Sequence, residues 1–219
     1  MKRILVVCAH PDDETLGLGS TLFLKMKSGS EIFVLIMADG ESSRSKNMEK
    51  IVKRENEAKN ALAILGITNF KFLRYPDQLL EQIPLLELSK NIELIIKKWK
   101  PDTVFTHFPG DMNQDHKRVF DATLIACRPV PSSKISSLIC YETPSSTDWG
   151  NDCFKPNFYV DISKGLEKKI KAFKQYKNEI SNYPHPRSVE SLKNRAGYWG
   201  SKIGLKYAEA FIKIREISK

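Results

Sequence analysis

Short apolar runs, often β-branched, recur at 3–8, 31–38, 69–74, 102–107 and 136–141, and the stretches between them carry helical periodicity. Residues 13–28 carry Leu16, Leu18, Leu22, Phe23 and Met26 close to helical spacing, and Ser28-Gly29-Ser30 stops them. Residues 47–65 end at Gly66, where a helix favours a left-handed residue. Residues 84–99 and 115–127 complete the set. Strict strand–helix alternation leaves few solutions, because right-handed crossovers build a parallel sheet with helices on both faces. The expected class is α/β, a Rossmann-like three-layer fold with a mostly parallel sheet in the order 3-2-1-4-5. Strands 1 and 4 are then neighbours whose connections leave in opposite directions, which opens a crevice at their carboxyl ends. Beyond residue 142 the alternation weakens. A loop rich in Pro, Ser, Asn and Asp is expected over 143–156, a further strand over 157–162 and a basic helix over 163–177. Helices over 188–200 and 204–217 would close a C-terminal helical extension, and one domain is expected over 1–219.

The crevice loops carry the chemistry. Ala9-His10-Pro11-Asp12-Asp13-Glu14 follows the first strand, and Asp111-Met112-Asn113-Gln114-Asp115-His116 follows the fourth. His10, Asp13 and His116 would form a two-histidine, one-carboxylate set, the ligand type of catalytic zinc with an open position for water. Asp12, beside a ligand, is the candidate base. Each loop also has a plainer reading. His-Pro-Asp-Asp can be a turn with an Asp N-cap, and Asp115-His116 a cap followed by an exposed histidine.

Composition narrows the remaining classes. The chain has 219 residues, is 41% hydrophobic and 28% charged, and no apolar run approaches a membrane span. Lys2 and Arg3 lead straight into a strand without a small-residue cleavage site, so no signal peptide is expected. Cys8, Cys127, Cys140 and Cys153 form no CxxC pair and suit a reducing, cytoplasmic location. The net charge of +9 arises wholly in residues 163–219, which hold 14 Lys and Arg against 5 Asp and Glu. A solvated basic face explains this; so does an anionic partner or a charged substrate steered past Lys168, Lys169, Lys171 and Lys174. No nucleic-acid motif accompanies the charge, and a nucleic-acid partner is not expected.

These motifs resemble the LmbE-like, or PIG-L, deacetylase family. The family's first signature is matched over residues 9–14 and its second by Asp111 with Asp115-His116. Arg54 before Leu65-Gly66 resembles a third element, and Ala208-Glu209-Ala210-Phe211 a fourth. The resemblance implies a zinc-dependent hydrolase removing acetyl from an N-acetylglucosamine-type sugar, free or nucleotide- or lipid-linked. It implies one Zn2+ on His10, Asp13 and His116, Asp12 as base, and Arg54, Asp111 and Asp115 as substrate-binding residues. A homo-oligomer is expected. The chain departs from the pattern at Asn113, where many members carry a histidine. An asparagine can donate to an oxyanion but cannot deliver a proton. His185, between two prolines, is the candidate replacement, and protonated Asp12 the other. His107, closing the fourth strand, reads as structural. The departure leaves two alternatives: a catalytically altered member, or a basic protein binding anionic ligands or nucleic acid.

Overall fold

The computed structural model describes residues 2–45 and 47–218. One seven-stranded sheet runs β3-β2-β1-β4-β5-β7-β6, built from β1 (Arg3–Cys8), β2 (Glu31–Ala38), β3 (Asn69–Tyr75), β4 (Thr103–His107), β5 (Ser137–Tyr141), β6 (Phe158–Asp161) and β7 (Ala208–Glu216). The first five strands are parallel and follow the expected order. The helices are α1 (Asp13–Lys27), α2 (Met48–Leu65), α3 (Leu85–Trp99), α4 (Gln114–Ala126), α5 (Leu166–Phe173) and α6 (Val189–Ser201).

The two-residue period of β1 sorts its side chains into two cores. Ile4, Val6 and Cys8 join Leu16, Leu62, Ile170 and Leu192 beneath α1, α2, α5 and α6. Leu5, Val7 and Ala9 join Leu88, Ile92 and Val119 beneath α3 and α4. A strand buried on both faces needs a near-continuous apolar run, and five of the six residues of β1 are buried. β1 pairs with both β2 and β4, so the switch point lies between β1 and β4, above which the two candidate loops emerge.

The C-terminal expectation is corrected. The helix expected over 204–217 is instead β7, antiparallel to both β5 and β6. Ile212 and Ile214 alternate with Lys213 and Arg215, a strand period with β-branched residues on one side. The basic helix is also shorter than expected, and Lys169 is not on its solvated face: its ammonium is buried against Glu209 at 2.7 Å.

Glu209 explains a break in α1. Leu18 leaves helical geometry, with φ −146° and ψ 18°, which frees the next amides from their helical acceptors. Glu209 accepts from the N–H groups of Ser20 at 3.1 Å and Thr21 at 2.8 Å, capping the second half of the helix as a carboxylate suits a helix start. Glu209→Ala would strand both amides and the buried Lys169 ammonium. Loss of one partner of a buried pair costs about 3–5 kcal/mol, so the melting temperature is expected to fall by roughly 10 °C. A fall of under 2 °C, measured calorimetrically, would contradict this role.

Candidate active site

The loop after β1 is tightly wound. The Asp13 carboxylate accepts from the His10 amide at 2.7 Å, and the Asp12 carbonyl accepts from the amides of Thr15 and Leu16, starting α1. This winding holds Asp12 at φ 122°, a region that costs a non-glycine residue about 1–3 kcal/mol. Glu14 offsets part of the strain: its carboxylate accepts from the Asp12 amide at 3.1 Å and from the Tyr176 hydroxyl at 2.5 Å.

The winding turns His10 and Asp13 toward α4. His10 Nδ1 stands 3.3 Å from His116 Nε2, and the Asp13 carboxylate 3.6 Å from the first and 3.5 Å from the second. All three residues are buried, and Asp13 Oδ1 has no hydrogen-bond donor among the described residues. Two ring nitrogens facing each other around an orphaned carboxylate oxygen fit a divalent metal ion. The plainer reading of His116 as an exposed histidine does not describe it; Asn113 is the α4 N-cap, its Oδ1 accepting from the Asp115 amide at 2.9 Å.

The outer nitrogens of both imidazoles lie close to carboxylates, and the hydrogen bond between His10 Nε2 and Asp115 is of the kind that orients histidines in metal sites. His10 Nε2 lies 2.9 Å from Asp115 and 3.1 Å from Asp77. The same Asp115 carboxylate accepts from the amides of Gln78 and Leu80, tying the loop after β3 to His10. His116 Nδ1 lies 3.1 Å from Asp111, whose carboxylate accepts from the Thr147 hydroxyl at 2.9 Å. Asp111 and Asp115, expected to contact substrate, lie beside His116 and His10 respectively. His107 stacks on His116 with ring centres 3.9 Å apart, and its Nε2 accepts from the Ala9 amide at 2.9 Å. Burial and the neighbouring His116 pull its pKa down to about 4, which suits a neutral acceptor. Burial works to raise the Asp13 pKa, but the histidines outweigh it and hold the carboxyl well below its usual value.

Asp12 faces a separate network. Arg54 Nη2 and Arg187 Nη1 each approach its Oδ2 at 3.1 Å. Glu179 holds both arginines, Arg187 at 2.7 Å and Arg54 at 3.1 Å, and Arg44 joins it at 2.7 Å. Arg54 also donates to the Pro11 carbonyl at 2.7 Å and lies over the Tyr176 ring. Burial pushes the Asp12 carboxyl up to about 7 against the pull of Arg54 and Arg187. The result is one carboxylate committed to the histidines and an adjacent one that can exchange a proton.

His185 sits at the rim. Its Nδ1 accepts from the Arg187 amide at 3.0 Å and its ring meets the edge of the exposed Trp149. Among the described residues no hydrogen bond or ion pair joins His185 to Asp12 or to the His10–Asp13–His116 group. Sequence reasoning missed Asp77, Glu179 and Arg187. Asp77 had a signal, since it lies just past a parallel strand's carboxyl end. Glu179 and Arg187 had none, because a loop between helices is brought over Asp12 by packing alone.

Comparison with known proteins identifies the family. A family model described as PIG-L, GlcNAc-PI de-N-acetylase, matches residues 5–127, which include His10, Asp12, Asp13, Arg54 and His116. The protein named Uncharacterized deacetylase YaiS of Escherichia coli K12 is 32% identical over 183 residues, covering 81% of this chain and 91% of that one. Diacetylchitobiose deacetylase of Thermococcus kodakarensis is 27% identical over 221 residues, covering 95% of this chain and 82% of that one. The crystal structure of conserved protein TT1542 from Thermus thermophilus superposes with a TM-score of 0.81 at 28% identity, covering 100% of this chain and 97% of that one. With more than half of its length matched by the family model, and with these relatives, this chain belongs to the PIG-L deacetylase family.

Proposed function

We propose that this chain is a zinc-dependent N-deacetylase that hydrolyses the acetamide of an N-acetylated amino sugar or its conjugate. The observation that carries this reading is the meeting of His10 Nδ1, His116 Nε2 and Asp13 beside a second, separately held carboxylate, Asp12. Neighbouring ligands of tetrahedral zinc, with bonds of about 2.0–2.1 Å, stand roughly 3.3–3.4 Å apart. The 3.3 Å between the ring nitrogens, with Asp13 Oδ1 3.5 Å from His116 and its Oδ2 3.6 Å from His10, supports that ion. When bound, zinc supplies Lewis acidity toward an amide carbonyl and eases loss of a proton from water.

The protein's own residues do the rest. Asp12 Oδ takes a proton from the attacking water, a C–O bond forms and charge gathers on the carbonyl oxygen. Asn113, its Oδ1 occupied as a helix cap, keeps its NH2 group to donate to that oxygen. Asp12 then returns its proton to the sugar nitrogen as the C–N bond breaks, leaving the amine and acetic acid, whose proton passes to the amine to give acetate and the ammonium. Arg54 and Arg187, anchored on Glu179, orient Asp12 through both halves of this exchange. The unpaired cysteines support action in a reducing, cytoplasmic compartment.

The direct test is acetate release by chelator-stripped and zinc-reloaded protein from N-acetylglucosamine, N,N'-diacetylchitobiose and a nucleotide-linked N-acetyl sugar. Metal-dependent release is expected from at least one. Zinc-loaded protein inert toward all three would overturn the proposal. His185 offers a second route for the returning proton. If Asp12 carries it, His185→Ala lowers kcat by less than about tenfold, whereas general-acid loss is worth about 10²–10⁴. A fall in the larger range would transfer the role to His185.

A further inference from the structure

A hollow of about 390 Å³ lies at the amino edge of the sheet, opposite the edge that carries the metal cluster. One wall is the end of α3 with Lys97 and Lys100; the other is the turn 128–135, which leads into β5. The two walls are pinned at their base, where the Asp102 carbonyl accepts from the amides of Ser136 at 2.8 Å and Ser137 at 3.1 Å. The floor is apolar, made by Ile96, Pro101, Ala126 and Ile135. The hollow shares no residue with the His10–Asp13–His116 group or with the network around Asp12.

Four cations line this hollow, Lys97, Lys100, Arg128 and Lys134, against one carboxylate, Glu93, which Arg128 binds. The three lysines are exposed, and their ammonium groups make no ion pair or hydrogen bond among the described residues. Lysines at a helix end can complement its dipole. Arginines already fill that role here, because the carbonyls of Trp99, Ile125 and Cys127 accept from Arg3, Arg128 and Arg215. Nor does the dipole account for Lys134, which comes from a separate segment. Lys100 is held at φ 52°, a left-handed position that favours glycine over lysine. The lysine charge is thus left uncompensated by the protein, and its placement on both walls suits a ligand with more than one anionic group. Ammonium groups act as point charges toward phosphate oxygens, whereas a carboxylate favours the two-pronged fit of an arginine, and the arginine here is engaged. The apolar floor can cover an organic ring. Among the described residues no aromatic side chain lines the hollow, so it lacks the stacking platforms of a single-stranded nucleic-acid groove. The volume falls within the range of about 300–1,000 Å³ typical of ligand pockets.

We propose that this hollow binds a small organic phosphate with more than one phosphate charge and a ring, of the nucleoside diphosphate class, at a site separate from the metal cluster. Calorimetric titration of zinc-loaded full-length protein with uridine diphosphate tests it. One molecule per chain is expected to bind. Uridine and inorganic pyrophosphate should each bind at least about tenfold more weakly, because each lacks one half of the fit. Lys100→Gly/Lys134→Ala removes a cation from each wall and should weaken uridine diphosphate binding at least about tenfold. Glycine suits the left-handed position, so the melting temperature of this variant should equal or exceed that of wild type, which separates loss of binding from loss of fold. His116→Ala should leave the binding unchanged; a matching loss there would place the ligand at the metal cluster and overturn the proposal. No binding to wild type, or equal binding to wild type and Lys100→Gly/Lys134→Ala, would overturn it as well. Single-stranded RNA retained by wild type and lost in that variant, with uridine diphosphate bound by neither, would assign the face to nucleic acid and reject the small-molecule site.

Discussion

Asp12→Asn is expected to lower kcat by at least about a hundredfold, and by as much as 10⁴, while metal content and fold are retained. The substitution keeps shape and removes only the capacity to accept a proton. Asparagine tolerates positive φ better than most residues, so the backbone at 122° need not rearrange. Arg54 and Arg187 lose one partner but keep Glu179, and no buried cation is left alone. The metal cluster is spared because Asp13, not Asp12, meets the histidines. Steady-state kinetics with elemental analysis checks this. A kcat within tenfold of wild type, with full metal occupancy, would remove Asp12 from the chemistry.

His116→Ala is expected to abolish stoichiometric metal binding. Wild-type protein should carry about one ion per chain, held by three ligands. The variant leaves two, and less than a tenth of that amount should survive dialysis. Ligand linkage offers an independent readout. Metal that binds only the folded state raises the melting temperature of wild type, and the variant should gain nothing. Asp115→Asn should fall between them, with metal affinity reduced about 10–100-fold, because it loosens His10 without removing a ligand. Its carboxylate also holds the amides of Gln78 and Leu80, so metal titration must accompany the melting curve to separate orientation from local unfolding. Full metal content in His116→Ala would exclude it as a ligand and dissolve the proposed site.

The basic C-terminal quarter illustrates how a count of charges differs from their placement. Three of its cations turn inward: Lys169 onto Glu209, Arg187 onto Asp12 and Glu179, and Arg195 onto Glu142 and Asp148. Part of the excess read as a surface field is therefore internal wiring.

Local pattern alone determined the central sheet of this protein. An apolar run buried on both faces, followed by a helix with its own periodicity, has few ways to bury itself, so the order of the first five strands follows from the alternation. It also determined which loops would meet, because His10 and Asp13 share one turn and His116 lies past the strand expected beside it. Tertiary structure decided what lay beyond that reach. The segment 208–216 became a strand because β5 and β6 offered edges to pair with, a context no short window contains. The arginines around Asp12 and the carboxylates behind His10 come from four separate segments. Their meeting depends on packing and on the shared cost of burying charge, which only the assembled fold can balance.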